Sequence, residues 1–315
     1  MTYSITPIPN RHRKKRTHYS GVFIVGIAFL AFILIGLMIS LTIRACAHHK
    51  EISIADSHSE TSNIINHNRD LEDEEIHYVP SNYTMPDSII KICMPKSLDG
   101  IPEIVLMRTS YIVSYNHDKK LPNWVAWHLT AAHTDGPWPR CKYFYEDEEV
   151  PQPRATIDDY RGSGWTRGHM CPAGDNKWNE KAMYDTFSLI NICPQNENLN
   201  NGLWNSIEND CRKWARKYGD IYIVCGPVFM NREHETIGAN NVVVPEAFFK
   251  VVLCLTGTPK GFGFVVRNND GTKKRDLYYN SIDQVERITG MDFFPTLPDS
   301  IEDVVEANAD INEWN

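Results

Sequence analysis

Residues 162–175 read Gly162-Ser-Gly-Trp-Thr-Arg-Gly-His-Met-Cys-Pro-Ala-Gly-Asp175, so two closely spaced glycines are followed by Arg167 and His169. Glycine permits tight turns, and loops built on such turns carry functional side chains at protein surfaces. A neutral histidine can remove a proton from water near neutral pH, and arginine can bind two phosphate oxygens at once. The stretch therefore predicts a hairpin loop that presents Arg167 and His169 at a cleft.

A second group of polar residues lies downstream. Asn191 is followed by Asn200, which stands just before a predicted amphipathic helix that ends near Gly219. The apolar face of this helix comprises Leu203, Trp204, Ile207, Cys211 and Trp214. Glu208 and Arg212 are four residues apart on the helix and share another face. An asparagine carbonyl is a suitable ligand for Mg²⁺, so this region is a candidate metal and phosphate site.

Each of these residue types also has a common structural role. A single histidine is often a structural hydrogen-bonding group, an asparagine before a helix is often its N-cap, and a Glu/Arg pair is often a surface ion pair. The combination in this order instead favours hydrolysis of a phosphodiester, because it supplies a base, a metal ligand and two phosphate-binding groups.

Five apolar runs rich in β-branched or aromatic residues predict strands. They are Ile104–Val113, Trp124–Leu129, Ile221–Cys225, Phe248–Leu255 and Phe262–Val266. A further helix is predicted from Ser281 to Thr289, where Ser281 and Gln284 can form a capping box. The predicted fold class is α+β, with a central antiparallel sheet flanked by helices, in one domain at residues 86–298.

The N-terminal part of the chain predicts a membrane anchor. Residues 21–43 carry no charge and are mostly Ile, Leu, Val, Phe and Ala, which suits one transmembrane helix preceding the domain. The basic residues of the 1–20 tail are Arg11, Arg13, Lys14, Lys15 and Arg16. This bias predicts a cytoplasmic N-terminus and a single-pass protein whose domain lies outside the cytoplasm, in the periplasm or extracellular space. A cleaved signal peptide is the alternative, but the apolar stretch exceeds the usual length.

Composition restricts the remaining segments. The chain has 32 Lys and Arg against 40 Asp and Glu, a net charge of −8, which argues against a generic basic nucleic-acid coat. Residues 44–85 are polar and predict a flexible stalk. Residues 299–315 hold six acidic residues and no Lys or Arg, and predict an acidic C-terminal tail. The body between them is nearly balanced in charge, so a basic cleft and a polyanionic substrate remain possible. The eight cysteines include no C-x-x-C pair, and their disulfide pattern stays open.

The region of about residues 100–300 resembles the sugar-non-specific DNA/RNA endonucleases with a ββα-metal site, which include the endonuclease G type. The resemblance rests on an Arg-Gly-His core, spaced asparagines and several flanking motifs. These are Tyr111–Asn116, Pro122–Ala126, Asp159-Tyr160, Arg167–Met170, Asn191, Pro194-Gln195, Asn200, Trp204, Glu208, Gly226-Pro227, Pro245, Lys250–Val252, Ile282–Glu286 and Thr289–Pro295.

The resemblance implies a role for each site residue. His169 would be the general base, and Asn200 the direct protein ligand of one Mg²⁺ ion, for which Mn²⁺ can substitute. Glu208 would orient metal-bound water, and Asn191 would help to fix the site. Arg167 and Arg212 would contact the phosphate. The implied activity is cleavage of DNA and RNA without strong sequence preference, leaving 5′ phosphates, and a homodimer is one expected assembly.

One position departs from the family pattern: Thr166 stands where an aspartate commonly precedes the Arg-Gly-His core. The expected result is a weakened or retuned site. Two alternatives to a membrane-anchored nuclease remain open, and Thr166 supports only the first. One is a nucleic-acid-binding protein of the nuclease fold with little turnover, and the other is a phosphodiesterase for a smaller substrate.

Overall fold

The apolar runs of the chain form strands in the computed structural model, which describes residues 83–96, 99–230, 233–269 and 275–314. In chain order the strands are β1 (Ile104–Met107), β2 (Ile112–Asn116), β3 (Leu121–Thr130), β4 (Thr166–His169), β5 (Ile192–Gln195), β6 (Asp220–Val228), β7 (Thr236–Ile237), β8 (Val242–Val243), β9 (Ala247–Cys254), β10 (Lys260–Arg267) and β11 (Tyr279–Asn280). Seven of them form an antiparallel sheet in the order β1-β2-β3-β6-β9-β10-β11, while β4 pairs with β5 and β7 with β8.

Helices cover both faces of this sheet. They are α1 (Asp87–Cys93), α2 (Ile157–Tyr160), α3 (Glu180–Asp185), α4 (Glu197–Leu199), α5 (Asn205–Tyr218), α6 (Ile282–Thr289) and α7 (Asp299–Ala307). The predicted α6 is confirmed together with its capping box, in which the Ser281 side chain accepts from the backbone of Gln284 and the Gln284 side chain accepts from the backbone of Ser281. The long predicted helix is confirmed as α5.

Two apolar cores lie on opposite faces of the sheet because side chains alternate along each strand. In β6, Ile221 and Ile223 belong to the core beneath α5, whereas Tyr222 and Val224 belong to the core beneath α1, α6 and α7. The result is a helix–sheet–helix arrangement. It confirms the predicted central antiparallel sheet flanked by helices.

Four of the five predicted strands are confirmed, as β3, β6, β9 and β10. The prediction of one strand at Ile104–Val113 is wrong, because a turn separates β1 from β2. In this turn the Arg108 N–H donates to the Tyr111 carbonyl at 2.8 Å. The backbone N–H and the hydroxyl of Thr109 both donate to the Asp185 carboxylate, at 2.9 and 2.7 Å. These distant hydrogen bonds draw the backbone out of the ladder.

The predicted acidic C-terminal tail packs onto the domain through residues 299–314. Its helix α7 places Val305, 1% exposed, in the core shared with α1 and α6. Trp314 is also 1% exposed and contacts Trp214 of α5, with ring centroids 5.0 Å apart. The apolar side chains of this segment therefore contribute to the cores on both faces of the sheet.

The predicted cytoplasmic tail at residues 1–20 and the membrane span at 21–43 lie outside the described residues. So does the predicted stalk at 44–85, except for its last three residues, where Met85 is buried. Within the ranges that the structure describes, no helix has both the length and the apolar character needed to cross a bilayer. Each described cysteine is unpaired.

Glu306 in α7 gives the fold a pH dependence. Burial, together with the nearby carboxylates of Glu286, Glu302, Asp283 and Asp292, raises the pKa of Glu306 to about 8. Because the folded state favours the protonated form, this contribution to stability is present at low pH and is lost as pH rises from about 4.5 through about 8. Glu306→Gln should therefore raise the Tm by about 2 °C at about pH 8.5 and change it little near pH 5. Differential scanning calorimetry at both pH values would test this, and equal Tm values at pH 8.5 would contradict it.

Candidate active site

The hairpin of β4 and β5 positions the predicted histidine. Gly168 lies opposite Cys193, and His169 opposite Ile192, in the antiparallel register. A Cβ atom on Gly168 would lie only 2.6 Å from Cβ of Gln195, so a side chain at this position would force the strands apart. The glycine between Arg167 and His169 is thus required by the close approach of β5.

Asn191 secures the chain that follows His169. It is completely buried, and its Oδ1 accepts a hydrogen bond from the Cys171 N–H at 2.9 Å. Its Nδ2 donates to the carbonyls of Cys171 and Thr186, both at 2.9 Å. Asn191 therefore fixes the backbone near the site and does not itself line the cavity.

Asn200 begins a π-helical turn, Asn200–Trp204, that joins α4 to α5. Such turns within helices are frequent at functional sites. The N-cap of the helical segment is Asn196, whose side chain accepts from the backbone N–H groups of Asn198 and Leu199. The alternative role of Asn200 as a helix N-cap is therefore wrong: Asn200 is the C-cap of α4 through its backbone N–H, and its side chain is left for other contacts.

The Thr166 hydroxyl orients the Asn200 side chain. The hydroxyl donates its single hydrogen to the backbone carbonyl of Gln195 at 2.8 Å. It can therefore only accept a hydrogen bond from Asn200, whose Nδ2 lies 3.0 Å away. This contact assigns the two ends of the carboxamide, because only its NH₂ group can donate. The carbonyl oxygen Oδ1 of Asn200 is then the atom left for a ligand.

A cavity of about 420 Å³ lies between the hairpin and α5. Four of the six predicted site residues line it together with residues that the sequence did not indicate. The lining consists of Arg140, His169, Pro172, Ala173, Gly174, Asn200, Asn201, Asn205, Glu208 and Arg212. His169 and Asn200, which are distant in sequence, thus face one space.

His169 is held in an apolar and electropositive environment. The side chain is 7% exposed and packs against the rings of Phe144 and Phe187, with centroids 5.4 and 4.9 Å away. Burial, with smaller effects from Arg140 and Arg167, lowers the pKa of His169 to about 3. The imidazole is therefore neutral at neutral pH, so one of its ring nitrogens carries a free lone pair. Its Nε2 is shielded from solvent and hydrogen-bonds to no described residue, which leaves Nδ1 to face the cavity.

Arg212 is fixed before any substrate arrives. One guanidinium nitrogen binds Oδ1 of the buried Asp175 at 2.7 Å, and another binds Oδ1 of Asn209 at 3.0 Å. Asp175 in turn accepts a hydrogen bond from the Trp127 indole at 3.1 Å. Gly174 leaves room for the guanidinium, since a Cβ there would lie 2.7 Å from one of its nitrogens. A fixed guanidinium loses little freedom on binding an anion.

Glu208 is the carboxylate of the cavity. The pKa of Glu208 is raised to about 7, because burial and, to a smaller extent, Asp175 raise it more than the nearby Lys250, Arg212 and Arg140 lower it. The carboxylate is therefore easily converted between its charged and neutral forms near neutral pH, and a cation in the cavity would favour the charged form.

Arg167 lies beside the cavity and does not line it. Its guanidinium is 4.6 Å from the centroid of the Phe144 ring, which itself packs on His169. Arg167 therefore places a positive charge near His169, in addition to any contact that it makes with substrate.

Arg140 is a cavity residue that the sequence reasoning missed. It lines the cavity, its guanidinium lies 5.0 Å from the Phe187 ring centroid, and burial lowers its pKa. It comes from an irregular loop, and neither periodicity nor a motif marks it. Its position between Pro139 and Cys141, in a segment rich in Pro and basic residues, was the one available signal.

The donors in the cavity fit a hard divalent cation. Among the described residues, a group of three His, Cys, Asp or Glu side chains close enough to bind one ion occurs only at Asp283, Glu286 and Glu306, away from this cavity. The cavity instead offers the oriented Asn200 Oδ1 and the Glu208 carboxylate. This oxygen set suits Mg²⁺, which retains much of its water and takes few protein ligands.

The comparisons with known proteins agree with this geometry. A family model described as DNA/RNA non-specific endonuclease matches residues 94–300. A Xenopus laevis protein named "Nuclease EXOG, mitochondrial" is 39% identical over 206 residues, which are 60% of this chain and 57% of the relative. The Homo sapiens protein "Endonuclease G, mitochondrial" is 33% identical over 215 residues, 63% of this chain and 72% of that one. The chain thus spans little more than half the length of the frog relative.

A solved structure is similar as well. The structure described as the EndoG/EndoGI complex superposes with a TM-score of 0.60 at 29% sequence identity, covering 64% of this chain and 91% of that chain.

Proposed function

The chain belongs to the DNA/RNA non-specific endonuclease family, and we propose that it is a membrane-anchored, Mg²⁺-dependent endonuclease that cuts DNA and RNA without strong sequence preference. The observation that carries this proposal is the cavity in which a neutral His169, an oriented Asn200 carbonyl and two arginines meet. A base, an oxygen ligand and fixed cations are the parts that phosphodiester hydrolysis needs.

In this proposal His169 accepts a proton from water at Nδ1. The resulting hydroxide attacks the phosphorus, the bond to the 3′ oxygen breaks, and the 3′ oxygen takes a proton from solvent water, so the products are a 3′ hydroxyl and a 5′ phosphate. The low pKa of His169 keeps the imidazole in its neutral form before the reaction. Asn191 supports this step by fixing the chain that follows His169.

Arg212 and Arg140 bind the phosphate oxygens inside the cavity, and Arg167 adds positive charge beside it. Because Asp175 fixes Arg212 in advance, little side-chain entropy is lost when the phosphate binds. These cations offset the net negative charge of the chain at the one place where a polyanion must approach.

Asn200 Oδ1 would hold the metal ion directly, and Glu208 would hold its water molecules. When bound, Mg²⁺ would stabilise the charge that develops on the phosphate and the leaving oxygen. The role of Thr166 is to keep Oδ1 of Asn200 available. The binding-only alternative rests on Thr166, and the contact between these two side chains favours a role for Thr166 in an active site instead.

The membrane anchor is part of the proposal. It is supported by the uncharged residues 21–43 and by the basic tail at 1–20, which would leave the nuclease domain outside the cytoplasm. Membrane fractionation followed by protease treatment of intact cells or organelles would test it. Protection of the N-terminus with degradation of the domain is the expected result, and recovery of the full chain in the soluble fraction would contradict it.

The activity is tested by digesting supercoiled plasmid and RNA with residues 77–315, which form one compact unit. Mg²⁺ is titrated, and a chelator serves as the control. We expect cleavage of both substrates that depends on the metal. Cleavage of a small phosphodiester alone would favour the smaller-substrate alternative, and binding without cleavage would contradict the nuclease. Light scattering on the same sample tests the predicted homodimer.

Arg140→Ala should lower kcat/KM for DNA by roughly 10–100-fold, because a charge-assisted contact to the phosphate contributes about 1.5–3 kcal/mol. Steady-state cleavage of an oligonucleotide measures the change. Arg161→Ala is a matched control, since this arginine is exposed, pairs with Asp158 and does not line the cavity. Equal losses in both variants would mean that Arg140 acts only through net charge.

A further inference from the structure

Lys250 in β9 is completely buried next to the candidate site. Its ammonium nitrogen, Nζ, forms no hydrogen bond with an oxygen atom of the described residues, and the polar group beside it is the thiol of Cys225, a weak acceptor. Burying a charged group with only a weak acceptor beside it is costly, and an apolar side chain of similar length would fill the same space at lower cost. A lysine at this position therefore calls for an explanation other than packing.

Two indole rings enclose this ammonium group. Nζ lies 4.9 Å from the ring centroid of Trp127 and 4.7 Å from that of Trp204. Cations are attracted to the faces of indole rings, and the attraction is larger when both partners are shielded from water. Lys250 thus restrains two tryptophans at once.

Trp204 connects Lys250 to the metal-ligand and base side of the cavity. Its indole N–H donates to the backbone carbonyl of His169 at 3.4 Å. The same residue ends the π-helical turn that begins at Asn200. A shift of the Trp204 ring would therefore move His169 and Asn200 relative to each other.

Trp127 connects Lys250 to the phosphate side. Its indole N–H donates to Oδ2 of Asp175 at 3.1 Å, and Oδ1 of Asp175 binds Arg212 at 2.7 Å. The two indoles thus extend from one ammonium group to the two sides of the cavity.

The charges around Lys250 keep it protonated. Burial alone would lower the pKa of Lys250, but the nearby Cys225, Cys211, Glu208 and Asp175 raise it above its usual value. Burial also raises the pKa of both cysteines, to about 11 for Cys225 and about 12 for Cys211, so the thiols are neutral at neutral pH. The two carboxylates are then the opposing charges.

We propose that Lys250 is a positioning residue, which acts through Trp204 on His169 and Asn200 and through Trp127 on Asp175 and Arg212. This inference rests on the proposed nuclease activity. Lys250 touches neither substrate nor metal; it fixes the distance between the base and ligand on one side of the cavity and the phosphate-binding arginine on the other.

The test is Lys250→Met in the full chain, compared with Lys260→Met. Lys260 also lies over two rings, 3.9 Å from Tyr218 and 5.5 Å from Trp314, but it does not line or border the cavity. For Lys250→Met we expect a kcat about 10²-fold lower, because small misplacements of reacting groups have effects of this size. The KM for DNA should stay within about twofold, and the Tm should change little, because Arg212 remains as an opposing charge for the Asp175 and Glu208 carboxylates. Lys260→Met should keep the wild-type kcat.

Near-ultraviolet circular dichroism provides a readout that does not depend on activity, because it reports the packing of the tryptophans. We expect Lys250→Met to change this signal while the far-ultraviolet spectrum stays the same. The inference would be overturned if Lys250→Met had a wild-type near-ultraviolet spectrum or a wild-type kcat. It would also be overturned if kcat fell only in proportion to a fall in Tm. An inactive wild-type protein would instead contradict the proposed function.

Should Lys250→Met fail to fold, Trp204→Phe tests the same connection. Phenylalanine keeps an aromatic face for the ammonium group but removes the N–H that donates to His169. We expect a fall in kcat of about tenfold or more with an unchanged KM. A Trp204→Phe enzyme with wild-type kcat would overturn the connection from Lys250 to His169.

Discussion

Replacing His169 with alanine should lower kcat for DNA and RNA cleavage by about 10²–10⁴-fold or more, while the Kd for DNA stays within about twofold. The side chain faces the cavity, and burial keeps it neutral, so one ring nitrogen has a lone pair available for the proton of the attacking water. Alanine removes the only proton acceptor proposed for the attacking water, but it leaves Arg140 and Arg212 to hold the phosphate. Single-turnover cleavage gives the rate, and filter binding in the presence of a chelator gives the Kd.

His133→Ala is the matched control for this experiment. Burial and the neighbouring His128 lower the pKa of His133 to about 4, yet this histidine stacks on Trp178 and does not line the cavity. It should keep the wild-type kcat, which would show that a low pKa alone does not make a base. A His169→Ala enzyme that retains wild-type turnover would show that the base is another group.

The pH dependence of the wild-type enzyme gives a second check on His169. With a pKa of about 3, the imidazole stays neutral from about pH 8 down to about pH 5. Lowering the pH through 6.5, the usual value for histidine, should therefore not reduce the rate by protonating His169. A loss of rate with an apparent pKa near 6.5, absent from a His169 variant, would contradict this environment.

Much of the fold could be predicted from the sequence because it follows from local patterns. The strands β3, β6, β9 and β10 are continuous apolar runs, and α6 begins at a capping box that is complete within four residues. The turn between β1 and β2 could not be predicted, because it depends on hydrogen bonds from Thr109 to Asp185, 76 positions further along the chain. Local patterning does not contain such a contact.

The candidate site likewise contains residues that the sequence indicates and one residue that it does not. His169, Asn200, Glu208 and Arg212 could be found from residue type, spacing and family resemblance, and the structure places all four around one cavity. Arg140 could not be found, because an irregular loop brings it to the cavity through tertiary contacts.

The consequence of Thr166 was predicted only in part. The sequence showed the loss of a charge at this position, whereas the structure shows what the hydroxyl does. The Thr166 hydroxyl accepts a hydrogen bond from Asn200 and donates its own hydrogen to the backbone carbonyl of Gln195. The retained contact favours a retuned site over an inactive one.

Replacing Asn200 with alanine should lower kcat by roughly 10²–10³-fold or more, and the remaining activity should no longer respond to Mg²⁺. Asn200 offers the carbonyl oxygen that its contact with Thr166 orients, and its removal takes this oxygen from the cavity. Cleavage is measured against Mg²⁺ concentration, and metal binding is measured separately by the shift in Tm that Mg²⁺ or Mn²⁺ causes.

Asn201→Ala is the matched control, because it removes the same side chain at the next position of the same cavity. It should keep the Mg²⁺ requirement and the metal-induced shift in Tm, because the hydrogen bond to Thr166 that orients a carboxamide is made by Nδ2 of Asn200.

Thr166→Val should have an activity between those of Asn200→Ala and Asn201→Ala. The Asn200 ligand remains, but its carboxamide can rotate, so a higher Mg²⁺ concentration is needed for the half-maximal rate. An active Asn200→Ala enzyme that still requires Mg²⁺ would place the metal ligand elsewhere in the cavity, and Glu208 would then be the first residue to test.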